Sequence, residues 1–83
     1  MLAVQVLYFG GLRDALGITE EALALPQHVR TVGDLCGHLA DRHRVYANHR
    51  ASVRVARNEA FAANDEALSD GDVIALIPPV AGG

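Results

Sequence analysis

Lysine and tryptophan are absent from this 83-residue chain, and cysteine occurs only once, at Cys36. A single cysteine cannot form a disulfide within the chain, which is typical of a reducing compartment. The opening MLAVQVLYFGG lacks the basic region and cleavage site of a secretory signal, so we expect a cytoplasmic protein. The longest apolar runs, such as residues 73–77, are too short to cross a bilayer, and no lipidation motif is visible. We therefore expect no membrane association.

Basic residues are fewer than acidic ones, 7 against 10, which gives a formal net charge of -3 at pH 7. A general nucleic-acid binder needs a strong positive field, so we expect no nucleic-acid partner. The basic residues are all arginines, and five of them lie close together: Arg42, Arg44, Arg50, Arg54 and Arg57. This cluster predicts one basic face, which is either solvated surface, the interpretation we favour, or a docking patch for an acidic partner.

The composition, with 51% apolar and 20% charged residues, is typical of a globular protein. A chain of this length forms one domain and buries only ~60 to 65% of the surface that the unfolded chain exposes. We therefore expect one small and simple core.

The first third of the chain predicts two strands. In residues 2–9, the even-numbered and the odd-numbered positions are both largely apolar, although they point to opposite faces of a strand. This indicates a central strand that is covered or paired on both sides. Gly10 and Gly11 interrupt this strand, and one or two helical turns follow until Gly17 stops them. Residues 19–25 predict a second strand.

The strongest helix signal begins at Thr31, which forms a capping-box pair with Asp34. The helix runs to about Arg42 and carries one apolar stripe, made of Val32, Leu35, Cys36 and Leu39. No base lies at a helical spacing that would activate Cys36, so we expect core packing rather than a nucleophile. Residues 45–50 are ambiguous between a loop and an extra helical turn.

Three more strands are predicted in the second half of the chain, at residues 53–55, 60–62 and 73–77. Turns are expected at Asn58-Glu59 and at residues 70–72, and Leu68 is expected to enter the core. The first and last strands are the most apolar, so they belong side by side at the sheet centre with the main helix across one face. The predicted fold is therefore the α+β β-grasp, or ubiquitin-like, fold with a mixed sheet of about five strands.

After the final strand the chain ends in PPVAGG. We expect a β-grasp domain at residues 1–77 and an extended tail at residues 78–83, made of Pro78, Pro79, Val80, Ala81, Gly82 and Gly83. The prolines stiffen this tail, which reaches roughly 20 Å and could enter a buried active site of a partner. The carboxylate of Gly83 becomes an acylating agent once it is coupled to a nucleotide phosphate. The tail is thus the predicted chemical site.

The segment LSDGDVIALIPPVAGG resembles the family of molybdopterin synthase small subunits, the sulfur carriers of molybdenum cofactor biosynthesis. The opening VQVLYFGGLRDALG, the helix start TVGDL and the Asn58 turn extend this resemblance to nearly the whole chain. The resemblance implies that an E1-like enzyme, using ATP and Mg, adenylates Gly83. A sulfur donor protein then converts the carboxylate to a thiocarboxylate, which delivers sulfur to cyclic pyranopterin monophosphate to form the molybdopterin dithiolene.

The same resemblance implies partners and a docking surface. The tail would insert into the large subunit of molybdopterin synthase, in a heterotetramer of two small and two large subunits. Phe9, Phe61 and Ile77 stand at positions of the apolar partner surface, although the residues alone leave a core role open for the two phenylalanines. No cofactor is expected on this chain itself.

Other candidate sites are weaker. The histidines His28, His38, His43 and His49 form no metal pattern, so surface positions are expected and no metal is implied. Asp70 and Asp72 flank a glycine, and turn chemistry explains them better than cation binding. Motifs for phosphate loops, dinucleotide binding and nucleophile elbows are absent, so we expect a carrier subunit rather than an enzyme alone.

Three classes of function remain open at this point. They are a sulfur carrier, a ubiquitin-like modifier joined to lysines of target proteins, and a binding module that uses only its sheet. Sulfur carriers of the thiamin and cysteine pathways have the same fold and the same Gly-Gly end, so the sulfur acceptor stays undecided.

Overall fold

The computed structural model describes residues 1–79. Its elements are β1 (Ala3–Tyr8), α1 (Gly10–Leu16), β2 (Glu20–Ala24), α2 (Val32–Arg42), α3 (Arg44–His49), a 3-10 turn (Arg50–Ser52), β3 (Arg54–Arg57), β4 (Ala60–Phe61) and β5 (Val73–Ile77). Within this part of the chain, the strands form one five-stranded sheet in the order β2-β1-β5-β3-β4. The central strands β1 and β5 are parallel and the other neighbours are antiparallel. The predicted β-grasp fold is confirmed.

The two central strands bury one face and leave the other open. Val6 lies opposite Ile74 and Tyr8 lies opposite Leu76, and all four side chains are buried. The alternate side chains of β1 point to the other face, where Gln5 is exposed. β1 is therefore paired on both edges, as predicted, but covered on only one face.

The main helix α2 begins and ends where the sequence predicts. The Thr31 hydroxyl accepts a hydrogen bond from the Asp34 N–H, and the Asp34 carboxylate accepts one from the Thr31 N–H, which completes the capping box. The predicted stripe is buried and packs into a single core with the inner face of the sheet; it consists of Val32, Leu35, Cys36 and Leu39. The core role predicted for Cys36 is confirmed.

The ambiguous segment after α2 is helical. It forms α3 and the 3-10 turn, and Tyr46 within it is only 1% exposed. Six residues with one buried side chain give too short a periodic pattern for sequence analysis to identify this helix. Its position matters because α3 packs against α1 near the end of the sheet.

The β3–β4 hairpin and the start of β5 are held together by polar side chains. Asn58 and Glu59 both have positive φ values, 51 and 73°, as a two-residue hairpin turn requires. Asn58 Oδ1 accepts the Val73 N–H, and Asn58 Nδ2 donates to Asp72. The predicted turn is confirmed, and Leu68 lies in the core as expected.

Asp72 is the one charged residue among those described that is buried, with 4% of its surface exposed. Its carboxylate accepts hydrogen bonds from Arg57 Nε at 2.7 Å, Asn58 Nδ2 at 2.9 Å and the Ser69 N–H at 2.7 Å. Burial alone would raise the pKa of Asp72, but these three donors outweigh it and lower the pKa. The turn role expected for Asp72 is therefore confirmed.

Candidate docking face and tail root

The open face of the sheet consists mainly of small uncharged side chains. Strand alternation and the pairing register place the following residues on it: Ala3, Gln5, Leu7, Glu20, Ala22, Ala24, Arg54, Ala56, Phe61, Val73, Ala75 and Ile77. We call this set the open face. Helices α1 to α3 do not cover it, so it is available to another protein.

Phe9 and Phe61 are surface residues. Phe9 is 42% exposed and Phe61 is 58% exposed, so neither belongs to the core. The guanidinium carbon of Arg54 lies 3.7 Å from the centroid of the Phe61 ring, a cation–π contact on the open face. Arg54 therefore holds the Phe61 ring against the sheet and presents a positive charge next to it.

An apolar groove of about 600 Å³ lies at the end of the sheet where β1 and β5 finish. Helices α1 and α3 form its sides, and the end of β5 and the start of the tail close it. The apolar residues lining it are Phe9, Leu12, Ala15, Val45, Val53, Ile77, Pro78 and Pro79. The fold thus brings Phe9 and Ile77 together here, whereas Phe61 lies on β4 at the sheet edge and does not line the groove.

The tail leaves the sheet at this groove. Pro78 is half-buried and Pro79 is exposed. The other predicted tail residues, Val80, Ala81, Gly82 and Gly83, lie outside the described residues. The structure therefore describes the root of the predicted chemical site.

A polar cluster that sequence analysis missed links β1 and β2 to the α2–α3 junction. Glu21 accepts hydrogen bonds from the Tyr8 hydroxyl at 2.5 Å and Arg42 at 3.3 Å, and His43 Nε2 lies 2.8 Å from its carboxylate. Burial alone would raise the pKa of Glu21, but Tyr8, His43 and Arg42 outweigh it and lower the pKa. Burial, followed by the bond to Glu21, raises the pKa of Tyr8.

The four histidines do not all lie on the surface as expected. His28 and His49 are exposed, but His38 and His43 are half-buried. The side chain of His43 packs edge-on against the Tyr8 ring, with centroids 5.8 Å apart. Within residues 1–79, no group of three or more His, Cys, Asp and Glu side chains could hold a metal ion.

The arginine cluster is partly neutralised by these contacts. Arg42 pairs with Glu21, and Arg57 pairs with Asp72 and Glu66. The predicted basic face is thus weaker than the sequence suggests, although Arg54 remains exposed on the open face. None of the helices formed by the described residues has the length and hydropathy needed to cross a membrane.

The chain is similar to known proteins over nearly its whole length. A family model described as the ThiS family matches residues 6–83. The molybdopterin synthase sulfur carrier subunit of Mycobacterium tuberculosis is 37% identical over 83 residues, which cover 100% of both chains.

Two solved structures share the fold. Molybdopterin converting factor subunit 1 of Pyrococcus furiosus superimposes with a TM-score of 0.83 at 34% identity, covering 96% of this chain and 100% of that one. Small archaeal modifier protein 1 of H. volcanii has a TM-score of 0.79 at 26% identity, with coverage of 96% and 100%.

Proposed function

Because the chain belongs to the ThiS family, we propose that it is the sulfur-carrier subunit of molybdopterin synthase. Residues 68–83 carry the resemblance to molybdopterin synthase small subunits. This resemblance is confirmed by the relatives named molybdopterin synthase sulfur carrier subunit. The observation that supports the specific function best is the 37% identity over the full length of one such relative. The PPVAGG ending supplies the chemical group that the function needs.

The proposed chemistry takes place at Gly83 in the active sites of partner enzymes. An E1-like enzyme uses ATP and Mg, and the Gly83 carboxylate attacks the α-phosphate, so that an acyl-adenylate forms and pyrophosphate leaves. Sulfide supplied by a sulfur donor protein then attacks the acyl carbon and displaces AMP, which leaves a thiocarboxylate on Gly83. This chain contributes the acyl carbon and the tail, and binds no cofactor of its own.

The thiocarboxylate sulfur then attacks cyclic pyranopterin monophosphate in the large subunit. Hydrolysis of the resulting thioester leaves the sulfur on the pterin and regenerates the Gly83 carboxylate. Two such deliveries supply the two sulfur atoms of the dithiolene. Residues 80–83 reach about 13 Å beyond Pro79 when extended, enough to place Gly83 in a buried active site. Gly82 and Gly83 carry no side chains, so a narrow channel can admit them.

The open face, which carries the exposed Phe61, and the exposed Phe9 at the root of the tail support docking to the large subunit. Phe9 and Ile77 meet at the root of the tail, so an interface formed there would also set where the tail enters its partner. Phe61 and Arg54 extend the same surface toward the sheet edge. Exposed aromatic and arginine side chains are the residue types that most often dominate binding energy at interfaces. We propose a heterotetramer of two carrier and two large subunits.

The proposal is tested by reconstitution. Thiocarboxylated protein is mixed with purified large subunit and cyclic pyranopterin monophosphate, and molybdopterin is measured as it forms. We expect activity with the full chain and none with a variant that lacks Gly82 and Gly83. Equal activity of the truncated variant would contradict the carrier role.

A second candidate function is a ubiquitin-like protein modifier, favoured by the similarity to small archaeal modifier protein 1. A modifier would leave isopeptide adducts between Gly83 and lysines of other proteins, which mass spectrometry of a cell lysate detects. A sulfur carrier of the thiamin or cysteine pathway would instead fail in the molybdopterin assay and transfer sulfur to the acceptor of that pathway.

A further inference from the structure

Gly10 and Pro78 face each other where the two central strands end. Tyr8 lies opposite Leu76 in the parallel pair β1–β5, so the two chains leave the sheet side by side and bring Gly10 next to Pro78. A Cβ atom added to Gly10 would lie 3.3 Å from Cγ of Pro78 and 4.0 Å from its Cδ. The proline ring therefore packs directly on the backbone of Gly10, in space that a side chain would occupy.

The backbone at Gly10 also favours glycine. Its φ is +54°, in the left-handed region, where a Cβ atom is strained. This conformation turns the chain from β1 into α1, and α1 forms one side of the groove at the root of the tail. Gly10 thus serves both the turn and the close approach of Pro78.

We propose that Gly10 is a positioning residue for sulfur transfer. By admitting the Pro78 ring against its backbone, it fixes the direction in which the tail leaves the sheet and so aligns Gly83 with the active site of the partner. The ring of Pro78 fixes its φ, and Pro79 restricts the ψ of Pro78 to extended values, so the position of the Pro78 ring constrains the path of the residues that follow. This inference rests on the proposed carrier function.

The chain offers two matched controls in the same helix. Gly17 ends α1 with a φ of +74°, and a Cβ there would meet no atom of the described part of the chain within 4 Å. Gly17→Ala therefore introduces the same kind of backbone strain as Gly10→Ala without touching the tail. Gly11 has no positive φ, and a Cβ added to it would meet no atom of residues 1–79 within 4 Å, so Gly11→Ala controls for the added methyl group alone.

The test measures sulfur transfer to the large subunit with proteins thiocarboxylated by intein thiolysis, so that the activation step does not enter. For Gly10→Ala we expect kcat to fall about 3- to 10-fold, because the Pro78 ring must shift by a few tenths of an ångström to admit the methyl group, whereas a displacement of about 1 Å would cost about 100-fold. The affinity for the large subunit should stay within about twofold, because the open face is unchanged. Gly11→Ala and Gly17→Ala should keep their kcat within about twofold of the parent.

A double-mutant cycle tests whether the effect passes through the Pro78 ring. Pro78→Ala removes Cγ and Cδ, the two atoms within 4 Å of a Cβ at position 10. In that background, we expect Gly10→Ala to lower kcat no more than Gly17→Ala does. If Gly10→Ala lowers kcat equally with and without the Pro78 ring, or matches Gly17→Ala in the parent, the inference is wrong.

An independent readout separates this inference from the proposed function. Nuclear Overhauser contacts between the Gly10 Hα atoms and the Pro78 ring should be present in the parent and in Gly17→Ala and shifted or lost in Gly10→Ala. A parent protein that transfers no sulfur at all would contradict the proposed function. Absence of the Gly10–Pro78 contact in the parent would overturn the positioning role whatever the reaction is.

Discussion

Replacing Asp72 with alanine should cost roughly 3–5 kcal/mol of the free energy of unfolding. The change removes the acceptor of three hydrogen bonds while it leaves the donors on Arg57, Asn58 and Ser69 in a half-buried site. All three bonds end on the ionised carboxylate and are therefore charge-assisted, each worth about 1.5–3 kcal/mol, and the cost of burying Asp72 offsets part of their sum. Arg57 keeps its contact with Glu66 at 3.6 Å, so the loss should stay near the middle of the range.

The assay is urea unfolding at 25 °C, followed by circular dichroism. A domain of this size has a free energy of unfolding of about 4–12 kcal/mol, so the variant should lose a large fraction of its stability. Asp70→Ala is the matched control, because within residues 1–79 the exposed Asp70 accepts one hydrogen bond, from the Ala3 N–H at 2.8 Å. It should cost no more than about 1 kcal/mol. Equal losses of unfolding free energy in Asp72→Ala and Asp70→Ala would refute the conclusion that the buried Asp72 carboxylate stabilises the fold through its three hydrogen bonds.

The same carboxylate predicts a pH dependence. Its hydrogen bonds lower the pKa of Asp72 in the folded state below the unfolded value of about 3.9. A depressed pKa gives stability that is present above the unfolded value and is lost as the pH falls through the folded value. The difference in unfolding free energy between the parent and Asp72→Ala should therefore be constant near neutral pH and shrink below about pH 4. A difference that grew on acidification would contradict the sign of the shift.

Three further predictions concern the helix and the open face. Thr31→Ala removes the hydroxyl that accepts the Asp34 N–H and should lower the free energy of unfolding, measured in urea, by about 1 kcal/mol. Leu35→Ala, at a fully buried position, should cost about 2–5 kcal/mol in the same assay, and a loss below 1 kcal/mol would mean that the site is not packed as described. Phe61→Ala should leave unfolding within about 0.5 kcal/mol because the ring is exposed. It should nevertheless weaken binding to the large subunit about 10-fold or more by calorimetry, and unchanged affinity would remove Phe61 from the interface.

Local patterns in the sequence predict most of the fold. The Thr31–Asp34 capping box, the stripe on α2 and the positive-φ turn at Asn58 each depend on neighbouring residues, so a single sequence reveals them. The central pairing of β1 and β5 follows because the two most apolar strands need the centre of the sheet. Helix α3 is not predicted because it has only six residues and buries one side chain, Tyr46, which is too little for a helical pattern to be recognised.

Contacts between distant residues account for what the sequence does not predict. Tyr8, Glu21 and His43 meet only because β1, β2 and the α2–α3 junction converge, and their spacings match no motif. The surface positions of Phe9 and Phe61 likewise depend on how each strand ends, because an aromatic residue in such a position can face either the core or the solvent. The contact of Gly10 with Pro78 requires the parallel register of β1 and β5.

If Gly83 carries sulfur, the intact mass of the protein changes, and mass spectrometry measures this change. The protein is incubated with its activating enzyme, ATP, Mg and a sulfur donor, and its mass is compared with that of the untreated chain. We expect a mass increase equal to the replacement of one oxygen by one sulfur, assigned to Gly83 by fragmentation. An unchanged mass, with an activating enzyme shown to be competent on another carrier, would contradict the carrier role of Gly83.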